Sequence, residues 1–154
     1  MNPFTRAELA YLRSQKLARL ATIGPAGAPQ VRPVGFGVDE ATGAIDVAGH
    51  RNPTTQKWRN VLRDGRVSLV VDDVLPPWQP RAIEVRGRAE ALPDQAGDAI
   101  VPGAPPGVIR IHPIRILGFG IEEGGPGTRT VDREPTQSGS AHEGCWVPEV
   151  GLGS

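Results

Sequence analysis

Residues 49–73, G-H-R-N-P-T-T-Q-K-W-R-N-V-L-R-D-G-R-V-S-L-V-V-D-D, read as the end of one strand, a turn, a short helix and a second strand. Asn52 has N-cap chemistry and Pro53 suits a first helical position, so the helix is predicted to begin at Pro53, leaving the amides of Thr54 and Thr55 without intrahelical acceptors. Arg51, the Thr55 hydroxyl and Lys57 gather near that end. Free amides, a hydroxyl and two cations would then converge on one anion, with phosphate the natural case. An ordinary capped helix with a solvated basic face explains the same residues, and the stretch alone leaves both readings open. Trp58, Val61 and Leu62, at i, i+3 and i+4, are predicted to form the buried face, with Gly65 as the C-terminal cap.

Working outward, Phe4-Thr5-Arg6-Ala7-Glu8-Leu9 carries a complete helix-start signal. Thr5 and Glu8 have capping-box spacing, and Phe4 and Leu9 stand where a hydrophobic staple places them. A hairpin follows: Leu17 to Ile23, the turn Gly24-Pro25-Ala26-Gly27, then Gln30 to Val38. A second turn at Asp39 to Gly43 leads to a third strand, Ala44 to Ala48. Beyond the central helix, Val67 to Val71 is almost continuously apolar, which predicts a strand covered on both faces, with Asp72-Asp73 as its solvated exit. After the Pro-rich connector Leu75 to Pro80 comes clean alternation. Ile83, Val85, Gly87, Ala89 and Ala91 share one face, and Glu84, Arg86, Arg88 and Glu90 the other. Val108 to His112 and Ile114 to Phe119 read as the last strands, with Pro113 marking an edge or a bend. Short strands at close spacing, with helices only at the start and middle, predict a small barrel and exclude a βαβ fold.

The chain has 154 residues, enough for one domain, with 17 basic and 17 acidic residues and a pI near 6.8. That balance argues against a nucleic-acid partner and makes any positive field local. One cysteine, Cys145, forms no internal disulfide, and no apolar run is long enough for a signal peptide or a membrane span, so a cytoplasmic setting is expected. From residue 122 the composition turns to Gly, Pro, Ser, Thr and charge. The chain therefore divides into a barrel domain, 1–121, and a C-terminal tail, 122–154. His142 and Cys145 in the tail are too few for a zinc site, so no metal is expected.

Motifs for hydrolytic chemistry are missing: there is no G-x-S-x-G elbow, no H-E-x-x-H and no P-loop. His50 and His112 are read as hydrogen-bonded structural residues ahead of general acids. The residues describe a binding site better than a catalytic one, a pattern expected where a cofactor supplies the reactive atoms and the protein an anion clamp.

Four segments in order carry a resemblance. Leu17 to Val34, L-A-R-L-A-T-I-G-P-A-G-A-P-Q-V-R-P-V, resembles the opening hairpin of the pyridoxamine 5'-phosphate oxidase-like split β-barrel proteins, and Gly49 to Asp73 resembles their phosphate-binding strand-helix-strand. W-Q-P-R-A-I-E-V-R-G-R-A (78–89) and I-R-I-H-P (109–113) are similar to the subgroup of probable F420-dependent oxidoreductases. The likeness spans roughly Phe4 to Ile121. It implies a mainly β, six-stranded split β-barrel with short peripheral helices, assembled as a homodimer with cofactor sites at the subunit interface.

By the same resemblance, His50, Arg51, Thr55, Lys57 and Asn60 hold the cofactor phosphate. Arg32, Pro33 and Val34 pass beside the ring system, and Trp78 and Arg81 approach from a neighbouring loop. The implied function is hydride transfer between a deazaflavin, coenzyme F420, and an unsaturated small-molecule substrate, with FMN as the alternative cofactor. Hydride passes directly from ring to substrate, so no catalytic residue is assigned. The competing reading is a non-catalytic split barrel that holds a cofactor or haem, with His50, His112 or His142 as the axial candidate.

Overall fold

The computed structural model describes residues 2–122 and 128–131. Helix α1 (Arg6–Ser14) starts as its sequence predicts. Thr5 Oγ1 accepts from the Glu8 amide at 3.2 Å and the Glu8 carboxylate accepts from the Thr5 amide at 2.8 Å, which closes the capping box. Phe4 is buried and Leu9 packs on the core, so both staple positions are apolar contacts. Tyr11 and Leu12 seat the helix on the barrel.

Strands β1 (Leu17–Ile23), β2 (Pro29–Val38) and β3 (Ile45–Ala48) form the expected antiparallel meander. They are followed by β4 (Arg66–Leu75), β5 (Gln79–Leu92), β6 (Val108–Phe119) and a short β7 (Thr128–Thr130). The sheet runs β3-β2-β1-β4-β5-β6-β7, and β3 also pairs with β6. That last pairing closes six strands into a barrel. One edge of β6 follows β5, while the other is shared between β3 at Ile109–Ile111 and β7 at Arg115–Leu117. Leu20, Leu69, Val85 and Ile116 meet inside across four neighbouring strands, each at most 1% exposed.

Several boundaries differ from the sequence reading. β4 and β5 run through the Pro-rich connector to the tight turn at 76–78, because Asp72 to Leu75 pair in register with Ala82 to Gln79. Pro113 does not break the last strand. It pairs with Gly87, whose neighbour Arg86 pairs with Arg115, so Ile114 is the extra residue of a β-bulge and the strand bends while remaining continuous. The stretch read as a tail contributes β7 at 128–130, while His142 and Cys145 lie outside the described residues. Val67, Leu69 and Val71 are buried, but Ser68 and Val70 are only half-covered, so β4 has one core face and one partly open face.

The central helix departs most. Residues Asn52–Thr54 form a single 3-10 turn, and helix α2 (Gln56–Arg63) begins three residues later than predicted. Asn52 is not a cap. It is buried, and its Nδ2 donates to the carbonyls of Val47 at 2.9 Å and Gly107 at 3.1 Å, which pins the turn between β3 and the loop before β6. Gly107 is needed there, with φ +130° and a Cβ position only 2.5 Å from Pro53 Cγ. The true cap is Thr55, whose Oγ1 accepts from the Trp58 amide at 3.4 Å and donates to the Asn52 carbonyl at 2.7 Å. Trp58 and Val61 are buried as expected, but Leu62 is 67% exposed and leaves the apolar face to Asn60, which is fully buried. Asp64, in extended conformation, ends the helix in place of Gly65. Gly65 serves close packing instead, since a Cβ would stand 2.9 Å from the Ala89 carbonyl. No helix among the described residues is long and apolar enough to cross a membrane.

Candidate functional site

The inner phase of β1 is Ala18, Leu20 and Thr22, and the matching phase of β2 is Gln30, Arg32, Val34 and Phe36. Both runs begin apolar at the barrel's middle and turn polar toward the hairpin end, where Thr22 stands opposite Gln30 and Leu20 opposite Arg32. A polar residue at a core-facing position requires something to bond. Here the partner on the inside is Asn60 of α2: its Nδ2 donates to Thr22 Oγ1 at 2.9 Å and to Gln30 Oε1 at 2.8 Å, and its Oδ1 accepts from Gln56 Nε2 at 2.8 Å. Arg63 Nη2 adds a bond to the Ile23 carbonyl at 2.6 Å. The middle and the C-terminal end of α2 are thereby held against the hairpin.

Between them lies a groove of about 870 Å³, lined by Leu20, Thr22, Gln30, Val31, Arg32 and Pro33 from the hairpin and by Thr55, Gln56 and Lys57 from the helix start. That size falls within the range of small-molecule and cofactor sites. Gln56 and Lys57 occupy the first helical positions, whose amides have no intrahelical acceptor, and the positive end of the helix faces the same space. Lys57 is half-buried. Burial, then the neighbouring Arg32 guanidinium, pushes its ammonium below the usual lysine range. No carboxylate among the described residues pairs with either cation. Two adjacent cations without a counter-charge, one of them half-desolvated, make a site that an anion stabilises. The residues present therefore fit a phosphate-bearing cofactor.

Of the predicted site residues, Arg32, Pro33, Thr55 and Lys57 are brought together on the groove. Asn60 lies behind it, holding Thr22 and Gln30 in place. Val34 is a core residue one step further along β2. His50 and Arg51 are exposed on the approach to the 3-10 turn and do not line the groove. His112 is engaged elsewhere, 3.0 Å from the Glu90 carboxylate. Arg81 is committed to its own chain: it grips Asp73 through Nε at 2.9 Å and Nη2 at 2.6 Å, and lies 4.8 Å above the Tyr11 ring. Trp78, 76% exposed at the β4–β5 turn, touches no part of this groove. Leu20, Thr22, Gln30, Val31 and Gln56 also line the groove, and the sequence reading does not single them out. The signal for Thr22 and Gln30 was their phase, polar side chains on the face that the rest of each strand buries.

A family model described as pyridoxamine 5'-phosphate oxidase matches residues 4–115. A curated relative, the 5a,11a-dehydrotetracycline/5a,11a-dehydrooxytetracycline reductase of Streptomyces rimosus, is 44% identical over 122 residues, covering 78% of this chain and 85% of that protein. Among solved structures, an F420 reductase superposes with a TM-score of 0.55 at 26% identity, over 70% of this chain and 93% of the other. A pyridoxamine 5'-phosphate oxidase-related, FMN-binding protein from Nostoc punctiforme gives 0.60 at 12% identity, over 86% and 98%. The barrel closure, the groove between hairpin and helix start, and these likenesses agree: the chain belongs to the pyridoxamine 5'-phosphate oxidase family, a family of oxidoreductases built on a flavin-binding type of split barrel.

Proposed function

We propose that the protein is an F420-dependent reductase that adds hydrogen across a carbon–carbon double bond conjugated to a carbonyl. The observation that carries this reading is the uncompensated pair Lys57 and Arg32 above the free amides of α2, in a groove of ring-system size. Lys57, with the Thr55 hydroxyl and the first amides of α2, would hold the phosphate. Arg32, Pro33 and Val31 on β2 would run alongside the ring. When bound, a reduced deazaflavin supplies the hydride. The chain's own residues would fix its orientation, and the proton would come from solvent, since among the described residues no carboxylate or histidine lines the groove.

The Streptomyces rimosus relative supports a polycyclic, conjugated substrate, and the F420 reductase supports the coenzyme. FMN is the second reading, favoured by the Nostoc punctiforme neighbour. We infer also that two copies assemble. Val31 is 63% exposed on the groove wall and Trp78 projects from the β4–β5 turn, so a homodimer would cover the first and bring the second to a partner's site. The paired state of the β5 face limits how it joins in, because Arg86 already bonds Glu84 at 3.1 Å and Glu90 already meets His112.

Fluorescence titration with F420 and FMN, followed by mixing the reduced coenzyme complex with a dehydrotetracycline, tests the assignment. Tighter F420 binding with coenzyme oxidation on adding substrate is expected. Stoichiometric FMN retained through purification would overturn the choice of coenzyme, and binding without turnover of any conjugated enone would overturn the enzyme reading.

A further inference from the structure

On the sheet face turned away from the core, Arg66 stands directly opposite Arg88, and Arg86 directly opposite Arg115. Like charges opposed across strands destabilise a sheet. Two carboxylates offset part of this. Asp64 takes Arg66 through Nε at 3.1 Å and Nη2 at 2.7 Å, and Glu84 takes Arg86 through Nη2 at 3.1 Å. Arg88 reaches Asp64 only through space, and neither Arg88 nor Arg115 has a hydrogen bond or ion pair with a described residue. Two positive charges are therefore left over within one cluster of four.

The bulge at Ile114 gathers that cluster into a cleft. The extra residue bends β6, and the Ile114 carbonyl accepts from the Val131 amide at 2.7 Å, which fixes the bent segment against the strand that follows. Gly87, opposite the bend, admits no side chain, since a Cβ would run into the His112 carbonyl. The result is a cavity of about 610 Å³, lined by the four arginines together with Gly87, Ile114 and Thr130. It shares no lining residue with the groove at Lys57.

We propose that this cleft is a second ligand site, for a small organic acid carrying two negative charges on an apolar body, the chemistry of an aryl phosphate. Two uncompensated guanidinium groups match a dianion, and their planar forks suit a phosphate or carboxylate group. The Ile114 side chain, 40% exposed, supplies the surface for the hydrocarbon part. With a formal net charge of zero on the chain, the positive field is local, which selects a compact ligand over a long polyanion.

Calorimetric titration of the full chain with phenyl phosphate, and separately with inorganic phosphate, tests this. The titrations are repeated in Lys57→Ala, to silence the groove, and in that variant with Arg88→Ala and Arg115→Ala added. Phenyl phosphate should bind the Lys57→Ala chain more tightly than inorganic phosphate does, and the added arginine substitutions should weaken it about tenfold or more. Melting without ligand should not fall when the arginines are removed, because their replacement relieves repulsion. Phenyl phosphate binding lost on Lys57→Ala alone, or unchanged by the arginine substitutions, or no tighter than inorganic phosphate, or absent up to about 10 mM, would overturn the proposal.

Discussion

Asn60 Nδ2 donates to Gln30 Oε1 at 2.8 Å, joining the buried side of α2 to the groove wall on β2. The same amide bonds Thr22 Oγ1 at 2.9 Å, so one fully buried side chain sets the distance between the two halves of the candidate site. Asn60→Ala leaves Thr22 and Gln30 without that partner, and a loss of about 1–3 kcal/mol in folding free energy is expected. Coenzyme affinity should fall with it. Urea unfolding combined with a coenzyme titration checks both. Asn60→Asp, isosteric but unable to donate through its carboxylate, should leave neither intact.

Arg81 behaves in the structure as an anchor for α1. Its guanidinium holds Asp73 by two hydrogen bonds and covers Tyr11, whose hydroxyl donates to the same carboxylate at 2.9 Å. The Arg81 hydrogen bonds, followed by that of Tyr11, keep the Asp73 carboxyl below its ordinary value of 3.8. A carboxylate with a depressed folded-state pKa contributes stability that is present above the unfolded value and lost as pH falls through the folded one. Arg81→Ala should therefore be less stable than wild type at neutral pH, and the gap should close below about pH 4. Thermal melts from pH 7 down to about pH 3 check it. A gap of constant size would mean that the arginine contributes packing and not charge.

The depressed Lys57 ammonium gives binding its own pH dependence. Burial first, then Arg32, disfavours the charged form in the free chain, whereas a phosphate at the site favours it. Binding should therefore raise the Lys57 pKa, and affinity should decline with rising pH only where free Lys57 titrates, below its ordinary 10.5. Lys57→Arg, charged throughout that range, should keep a flat profile. Titrations at about pH 7 and about pH 9.5 separate the two. Parallel profiles for wild type and Lys57→Arg would place the phosphate elsewhere.

Local signals and strand phase were legible in the sequence, and long-range ones were not. The Thr5–Glu8 capping box, the hairpin turn after Ile23 and the alternation of β5 follow from neighbours a few residues apart. Asn52 was misread because the amide that caps a helix also serves as a buried brace, and its acceptor on Gly107 lies 55 residues away. With Asn52 held in this way, the cap falls to Thr55 and the helix starts at Gln56. Pro113 suggested a break because proline cannot donate to a ladder, yet at the bulge no bond was required of it. Lys57 and Thr55 came from resemblance and from anion chemistry together, Arg32 and Pro33 from the resemblance alone. Thr22 and Gln30 could have been found by asking why polar side chains continue a buried phase.

The most direct test is the affinity of Lys57→Ala for its coenzyme, read by fluorescence titration beside a thermal melt. Lys57 lines the groove and lies outside the core cluster of Trp58 and Val61, so its truncation should leave the melting temperature close to wild type. Affinity should fall about 10- to 100-fold, the equivalent of roughly 1.5 to 3 kcal/mol for one charge-assisted contact. Wild-type affinity for both F420 and FMN in the Lys57→Ala chain, held across a range of salt, would contradict the account and return the start of α2 to an ordinary capped helix.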